Sequence, residues 1–191
     1  VYGRSDLSAD LAPRVTFHRG DLADATALTA AVQGCDYVFH VAAKAGVWGA
    51  WDDYVRSNIT GTETVVQACR EHGVKALVYT STPSVVFNGV YFRGADESLP
   101  YGTEFLCAYA ETKATAERRA LEAASDTLKV CALRPHLIWG PGDHHLFPRV
   151  LERARAGKLR IVGDGTNRVD VTHVDTAANA HLGALDALLA G

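Results

Sequence analysis

Tyr109 and Lys113 place a phenol and an ammonium four residues apart in a segment with a helical pattern. Side chains at this spacing share one face of a helix, so both can act on the same molecule. A free tyrosine has a pKa of about 10, and a neighbouring cation lowers the pKa of a phenol because it stabilises the phenolate. Such a pair can give and take a proton near neutral pH. The spacing is common in helices, so it does not by itself identify an enzyme.

Hydroxyl side chains follow an apolar segment that reads as a buried strand. Thr82 lies in the run Thr80-Ser81-Thr82-Pro83-Ser84, directly after that segment. A hydroxyl at the carboxyl end of a strand can donate a hydrogen bond to the oxygen of a substrate. The alternative is that these hydroxyls bond to the local backbone in a turn, and we favour that alternative for Ser84.

Two further strand ends carry residues suited to a nucleotide. Asp21 and Leu22 follow one predicted strand, and the Asp21 carboxylate can accept a hydrogen bond from an adenine amino group or cap the next turn. Ala42 and Ala43, with Lys44, follow another strand. Small residues there let the backbone approach a ligand closely, although simple close packing is an alternative explanation.

The elements that must position these residues alternate along the chain. Short apolar runs alternate with helical patterns, which predicts a parallel sheet covered on both faces, a doubly wound α/β fold of the Rossmann type. In such a fold, ligands bind beyond the carboxyl ends of the strands. The predicted strands cover residues 14–18, 36–41, 75–80, 128–133 and 159–162, and the predicted helices cover residues 24–33, 52–72, 104–124, 146–156 and 175–189, the last with Asp175 as its N-cap.

Composition narrows the classes of function. The 191 residues are 48% hydrophobic and 21% charged, with a net charge of −3, which gives no electrostatic reason to expect a nucleic-acid partner. No apolar run approaches the roughly 20 residues of a membrane span. The four cysteines are dispersed, which favours reduced thiols and a cytoplasmic protein. His144 and His145 lack a third ligand at a usual spacing, so no metal site is predicted.

In their order along the chain, these segments resemble the extended short-chain dehydrogenase/reductases, which include nucleotide-sugar epimerases and 3β-hydroxysteroid dehydrogenases. The resemblance implies an enzyme that moves a hydride between a nicotinamide cofactor and an oxygen-bearing carbon. It implies that Asp21 and Leu22 meet adenine, and that Pro135 and His136 lie near the nicotinamide. It further implies a catalytic set of Thr82, Tyr109 and Lys113, and cofactor contacts from Ala42, Ala43, Lys44, Asn58, Tyr109 and Lys113.

The stretches at residues 42–49, 79–85 and 133–143 are most similar to the 3β-hydroxysteroid dehydrogenase-like branch, and within it to the group of 2-alkyl-3-oxoalkanoate reductases. That similarity implies reduction of a β-keto acid, and Val47, Trp48 and Trp139 suit an apolar substrate. Pro83 and Ser84 replace the Asp-Glu pair of the nucleotide-sugar dehydratases. A nucleotide-sugar epimerase stays open as an alternative, as does an NADP-binding regulator without catalysis.

Arg4 bears on the choice between the two nicotinamide cofactors. In this fold an acidic residue at the end of the second strand binds the ribose 2′-hydroxyl of NAD, whereas an arginine accommodates the 2′-phosphate of NADP. Residues 1–5 resemble the end of that strand, and they include Arg4 and Ser5 but no acidic residue. The sequence therefore favours NADP(H) over NAD(H).

The chain resembles the family over nearly its whole length, but two parts of the family have no counterpart in it. The glycine-rich phosphate loop of the first strand–helix unit and most of the C-terminal substrate lobe have no counterpart. We therefore interpret residues 1–191 as a single Rossmann-type NAD(P)-binding domain, cut at both ends. The predicted helices 52–72 and 104–124 resemble those that form dimer interfaces in the family, so a homodimer is one expectation.

Overall fold

Strands and helices alternate along the chain in the computed structural model, which describes residues 1–90, 92–143, 146–161 and 163–191. The strands are β1 (Tyr2–Gly3), β2 (His18–Arg19), β3 (Tyr37–His40), β4 (Ala76–Thr80), β5 (Lys129–Leu133), β6 (Ile138–Trp139) and β7 (Thr172–His173). The helices are α1 (Ala25–Val32), α2 (Trp51–Tyr54), α3 (Gly61–Glu71), α4 (Ala108–Leu121), α5 (Phe147–Arg155) and α6 (Val174–Ala190). A π-helical segment (Val55–Thr60) joins α2 to α3, and short 3₁₀ turns occupy Ala12–Arg14 and Pro83–Val85.

Every strand pair in the described part of the chain is parallel. The central sheet has the order β3-β4-β5, with Tyr37 opposite Ala76 and Ala76 opposite Lys129. Strand β1 pairs with β2, and β6 pairs with β7. Parallel neighbours need crossover connections, and α3 and α4 provide them in the central sheet.

Helices cover both faces of the central sheet. Tyr79 of β4 packs against Ala116 and Ala120 of α4, whereas the next residue, Thr80, contacts His181 of α6 through a hydroxyl–imidazole hydrogen bond of 2.7 Å. Successive side chains of a strand point to opposite faces, so α4 and α6 lie on opposite sides of β4. This arrangement confirms the predicted doubly wound α/β class.

The apolar core lies mainly between the central sheet and the helices α1 and α3. Its buried members pack as one cluster because α1 and α3 each turn an apolar stripe towards the sheet. This cluster comprises Leu28, Val32, Val65, Val66, Ala68, Cys69, Val74, Leu77, Ala123 and Leu128. None of the helices in the described ranges is long and apolar enough to cross a membrane.

Two predicted strands differ from the structure. The strand predicted at residues 14–18 begins only at His18, because Pro13 lies in a 3₁₀ turn over Ala12–Arg14. The strand predicted at 159–162 is wrong for residues 159–161, which are not part of a strand. Val162 lies outside the described residues. Instead, two short strands that the sequence analysis missed, β6 and β7, pair with each other.

Two helices also differ in detail. The helix predicted at 52–72 occupies the expected stretch, but its winding widens to a π-helix over Val55–Thr60. The assignment of Asp175 as the N-cap of the last helix is wrong. His173 caps α6 instead, because its Nδ1 accepts a hydrogen bond of 3.3 Å from the Asp175 backbone N–H. A ring nitrogen therefore does what a side-chain oxygen of Ser, Thr, Asn or Asp usually does at an N-cap.

Candidate functional site

Lys113 is a cation buried inside the domain, with only 2% of its surface exposed. Its Nζ donates to the Tyr79 hydroxyl at 2.6 Å and to the Thr80 carbonyl at 2.7 Å, and it lies 4.1 Å from the centre of the Tyr79 ring. Burial lowers the pKa of Lys113 to about 7, although the charge of Glu117 acts in the opposite direction. The ammonium can therefore change its protonation state near neutral pH.

Tyr109 and Thr82 meet at the carboxyl end of β4. Tyr109 is partly buried in the first turn of α4, and Thr82 is almost fully buried just beyond the strand. Burial raises the pKa of Tyr109, while the nearby hydroxyl of Thr82 works against that rise. The two hydroxyls therefore lie close together, as a shared role on one substrate oxygen requires, and the Thr82 Oγ1 itself bonds to Ser84 at 3.2 Å. The described hydrogen bonds of the Lys113 ammonium go to Tyr79 and Thr80 rather than to Tyr109.

A shallow pocket brings together most of the predicted nucleotide contacts. It opens between the ends of β1, β2 and β3, where Ala42 and Ala43 are exposed. Asp21 caps the following turn, since its Oδ1 accepts from the Ala23 backbone N–H at 3.0 Å. The predicted residues that line this nucleotide pocket are Arg4, Asp21, Leu22, Ala42, Ala43 and Lys44.

Asn58 links the nucleotide pocket to α4. Its Oδ1 accepts from the Lys44 backbone N–H at 2.8 Å, and its Nδ2 donates to the Lys44 carbonyl at 3.2 Å and to Thr112 Oγ1 at 3.0 Å. The side chain is buried in the π-helical segment. Asn58 therefore fixes the position of the loop after β3 relative to α4, next to Lys113.

Pro135 and His136 follow β5 and lie apart from the nucleotide pocket. His136 lines a second cavity together with Ser84 and Arg168. The structure therefore separates the predicted site residues into three neighbouring groups: the nucleotide pocket, the cluster of Thr82, Tyr109 and Lys113, and the cavity wall that holds His136.

Glu117 is the main site-proximal residue that the sequence analysis missed. It lies one helical turn beyond Lys113 and is 1% exposed. Arg134 donates to both of its carboxylate oxygens at 2.5–3.2 Å, Tyr101 donates at 2.8 Å, and Ser81 also donates to it. Burial would raise the pKa of Glu117, but these hydrogen bonds outweigh it and hold the pKa below its usual value. The signal for Glu117 in the sequence was its position four residues after Lys113, which places both side chains on one face of a helix.

Removing the Glu117 carboxylate should destabilise the fold. Glu117→Ala leaves the partly buried Arg134 without its partner, and such a loss costs about 3 kcal/mol of unfolding free energy. The exposed Glu122, which lies 3.7 Å from Arg119, provides a matched control, and Glu122→Ala should cost less than about 1 kcal/mol. Urea denaturation of both variants measures the difference, and equal stabilities would contradict the structural role of Glu117.

Metal ligands do not converge near this site. Among the described residues there is no group of three or more His, Cys, Asp or Glu side chains that could hold a metal ion. His144 and His145, the adjacent pair noted in the sequence, lie outside the described residues.

Comparison with known proteins places this geometry in a family. Residues 5–191 match the 3-beta hydroxysteroid dehydrogenase/isomerase family. The chain is 55% identical over 176 residues to a 2-alkyl-3-oxoalkanoate reductase of Stenotrophomonas maltophilia, covering 91% of this chain and 53% of the relative. It is 40% identical over 180 residues to the decarboxylating sterol-4-alpha-carboxylate 3-dehydrogenase of Mus musculus, covering 92% of this chain and 49% of the relative. The chain thus spans about half the length of these relatives.

A solved structure of a different enzyme has a similar fold. The fold matches a dTDP-glucose 4,6-dehydratase from Streptomyces venezuelae with NAD bound, at a TM-score of 0.80 and 28% identity, covering 92% of this chain and 56% of that one. The family match over almost the whole chain agrees with the resemblance inferred from the strand ends. The chain belongs to the 3-beta hydroxysteroid dehydrogenase/isomerase family.

Proposed function

We propose that residues 1–191 form the catalytic and cofactor-binding domain of an NAD(P)-dependent oxidoreductase that interconverts a keto group and a hydroxyl group. The observation that carries this proposal is the placement of Tyr109 close to Thr82 at the end of β4, where the buried Lys113 binds the Thr80 carbonyl. In this proposal the glycine-rich phosphate loop and the substrate lobe of the family lie in sequence that flanks residues 1–191.

The nucleotide pocket fits a dinucleotide by the character of its lining. Ala42 and Ala43 present exposed backbone with small side chains at a strand end, and Arg4 and Lys44 supply positive charge for phosphate groups. Asn58 holds the loop of Lys44 in place through its two hydrogen bonds to that backbone. When bound, NAD(P)H supplies the hydride for the reduction.

The side chains of this chain manage the charge that develops on the substrate oxygen. Tyr109 donates the proton to that oxygen, and Thr82 donates a hydrogen bond to it, which stabilises the developing negative charge. Lys113 carries a positive charge at the end of β4, near Thr82 and Tyr109. In this proposal its ammonium donates to hydroxyl groups of the cofactor ribose. Its pKa of about 7 keeps a substantial fraction of the ammonium form at neutral pH.

The names of the relatives suggest the class of substrate. A 2-alkyl-3-oxoalkanoate carries its keto group two carbons from the carboxylate carbon, and a sterol-4-alpha-carboxylate oxidised at carbon 3 has the same spacing. The shared feature is a β-oxo or β-hydroxy acid on an apolar skeleton. We therefore propose a 2-alkyl-3-oxoalkanoate or a related β-oxo acid as the substrate of this protein.

A direct assay tests this function. Full-length protein is incubated with NADPH or NADH and a 2-alkyl-3-oxoalkanoate, a 3-oxosteroid or a UDP-sugar, and oxidation of the nicotinamide is followed by absorbance. We expect turnover with the β-oxo acid. Epimerisation of the UDP-sugar without turnover of the acid would favour the nucleotide-sugar alternative, and cofactor binding without any turnover would favour a regulator.

Arg4 should determine the preference for NADP(H). It directly follows β1, its side chain is 72% exposed, and its guanidinium lies 3.9 Å from Asp21 at the mouth of the nucleotide pocket. Arg4→Asp would turn a charge-assisted contact with the 2′-phosphate into a repulsion. We expect the Kd for NADPH to rise by at least about tenfold, which corresponds to roughly 1.4 kcal/mol, while the Kd for NADH changes little.

Fluorescence titration of full-length protein with each cofactor measures both constants. Arg14→Asp is the matched control, because Arg14 is an exposed arginine that does not line the nucleotide pocket. An unchanged ratio of the two Kd values in Arg4→Asp would remove the support for NADP(H).

Helices α3 and α4 also support a proposed homodimer. They pack side by side, and Glu63 of α3 lies 3.5 Å from Arg119 of α4 on the outer surface. A groove between the helices is lined by Glu63, Val66, Arg70 and Arg119. A second copy would pack these two helices against its own, and light scattering of full-length protein measures the resulting mass.

A further inference from the structure

A cavity of about 270 Å³ opens beside the proposed catalytic hydroxyls. Ser84 lines it, and the Ser84 Oγ lies 3.2 Å from Thr82 Oγ1, so the cavity begins one hydrogen bond away from the proposed reaction centre. We name it the strand-end cavity, and its lining includes Ser84, Phe87, Val90, Phe92, His136 and Arg168.

One part of the strand-end cavity is apolar and accessible. Phe87 and Phe92 pack edge to face with their ring centres 5.9 Å apart, and they are 37% and 40% exposed. Val90 is 59% exposed. Accessible apolar side chains that line a cavity are typical of a site that binds an apolar ligand. The hydrocarbon part of a substrate suits this part of the cavity.

Arg168 contributes the positive charge of this cavity. Its side chain is exposed, and no hydrogen bond or ion pair joins it to another residue in the described part of the chain. A guanidinium binds a carboxylate through two parallel hydrogen bonds, which gives direction as well as affinity. Arg168 is therefore available to a carboxylate on the ligand.

Asp170 lines the same cavity and limits the charge of the occupant. The carboxylate of Asp170 and the guanidinium of Arg168 give the lining one negative and one positive side chain, so it lacks a cluster of cations. A diphosphate group would need several cations for compensation, whereas a single carboxylate needs one guanidinium. The charges of the cavity thus favour an organic acid over a nucleotide sugar.

We propose that the strand-end cavity is the substrate pocket of an amphiphilic organic acid, with Arg168 as the residue that recognises its carboxylate and Phe87 and Phe92 as the wall for its alkyl chain. The proposal rests on the proposed oxidoreductase function, because it places the substrate beside Thr82. It goes beyond that function by assigning the acid specificity to one side chain.

Arg168→Gln tests the assignment in full-length protein. The substrates are a 2-alkyl-3-hydroxyalkanoate and its methyl ester, each oxidised with NADP⁺, because the ester removes the negative charge and adds only one methyl group. We expect the kcat/KM for the acid to fall by roughly 10- to 100-fold, as for the loss of a charge-assisted hydrogen-bond pair, while the kcat/KM for the ester changes less than about twofold. Arg160→Gln, at an exposed arginine that does not line the cavity, should leave both values unchanged.

The outcomes separate this proposal from the function on which it rests. If wild-type protein oxidises the acid but Arg168→Gln lowers the acid and the ester equally, or neither, the role of Arg168 is overturned. If wild-type protein oxidises neither compound, the proposed function fails. Calorimetric titration with the hydroxy acid then tests the cavity alone: weaker binding of the acid by Arg168→Gln supports carboxylate recognition, and equal binding overturns it.

Discussion

Tyr109→Phe should lower kcat by roughly 10²- to 10⁴-fold, the usual contribution of a positioned proton donor, and leave the Kd for the cofactor nearly unchanged. The substitution removes only the phenol oxygen, which lies close to Thr82 at the end of β4. The ring remains in the first turn of α4, so the packing of the helix is preserved. The loss should therefore appear in the chemical step.

The protonation state of Tyr109 predicts how the two directions depend on pH. Burial raises the pKa of Tyr109 above its ordinary value of about 10. The phenol is then protonated at neutral pH and ready to donate, which suits reduction of a ketone. Oxidation of an alcohol needs a proton acceptor, so we expect its rate to increase with pH over the range in which reduction is flat.

Steady-state kinetics in both directions, with fluorescence titration of the cofactor, checks these expectations. Tyr37→Phe is the matched control, because Tyr37 is exposed on β3 and its hydroxyl lies outside the candidate site. Activity near that of the wild type in Tyr109→Phe would remove Tyr109 from the mechanism.

The parts of the fold that the sequence predicted are those set by local patterns. The apolar strands at the centre of the sheet, β3, β4 and β5, were correct to within about one residue at each end. The resemblance likewise indicated Thr82 and Tyr109, whose catalytic role stays a prediction, and the structure places them close together. Their spacing follows from the strand-end position of one and the helical position of the other.

The parts that could not be predicted depend on contacts between distant segments. Residues 138–139 and 172–173 are too short to show strand periodicity, and they form strands only because they pair with each other. The hydrogen bonds from Arg134 and Tyr101 to Glu117 join residues 16 and 17 positions apart, which no local pattern reports. The buried Asn58 in the π-helical segment bonds to Lys44 and Thr112, which lie on other segments, so its role in joining them could not be predicted locally.

The position of Lys113 also differs from what its spacing suggested. Four residues after Tyr109 on α4, it was expected to lower the pKa of that phenol. Its ammonium instead binds the Tyr79 hydroxyl and the Thr80 carbonyl. These partners hold the charge at the end of β4, where the side chain is almost fully buried. We therefore propose that the charge of Lys113 serves to bind the cofactor rather than to ionise Tyr109.

Lys113→Met should lower kcat at least about 100-fold and also weaken cofactor binding, and it should abolish the pH dependence of that binding near neutrality. Burial holds the pKa of Lys113 at about 7 in the free protein. If the ammonium donates to the cofactor ribose, binding raises this pKa, so the affinity is constant below pH 7 and falls above it by up to about tenfold per pH unit.

Titrations of the cofactor from pH 6 to pH 9 check the sign of this dependence for the wild type and the variant. Met is close to Lys in length and carries no charge, so it removes a desolvated cation from the interior without leaving a large void, and the variant should fold. Lys75→Met, at an exposed lysine whose Nζ lies 2.7 Å from Asp36, should retain both the affinity and its pH dependence. A wild-type affinity that does not change between pH 6 and pH 9 would mean that the ammonium of Lys113 takes no part in holding the cofactor. Its buried bonds to Tyr79 and Thr80 would then serve only to join α4 to the end of β4.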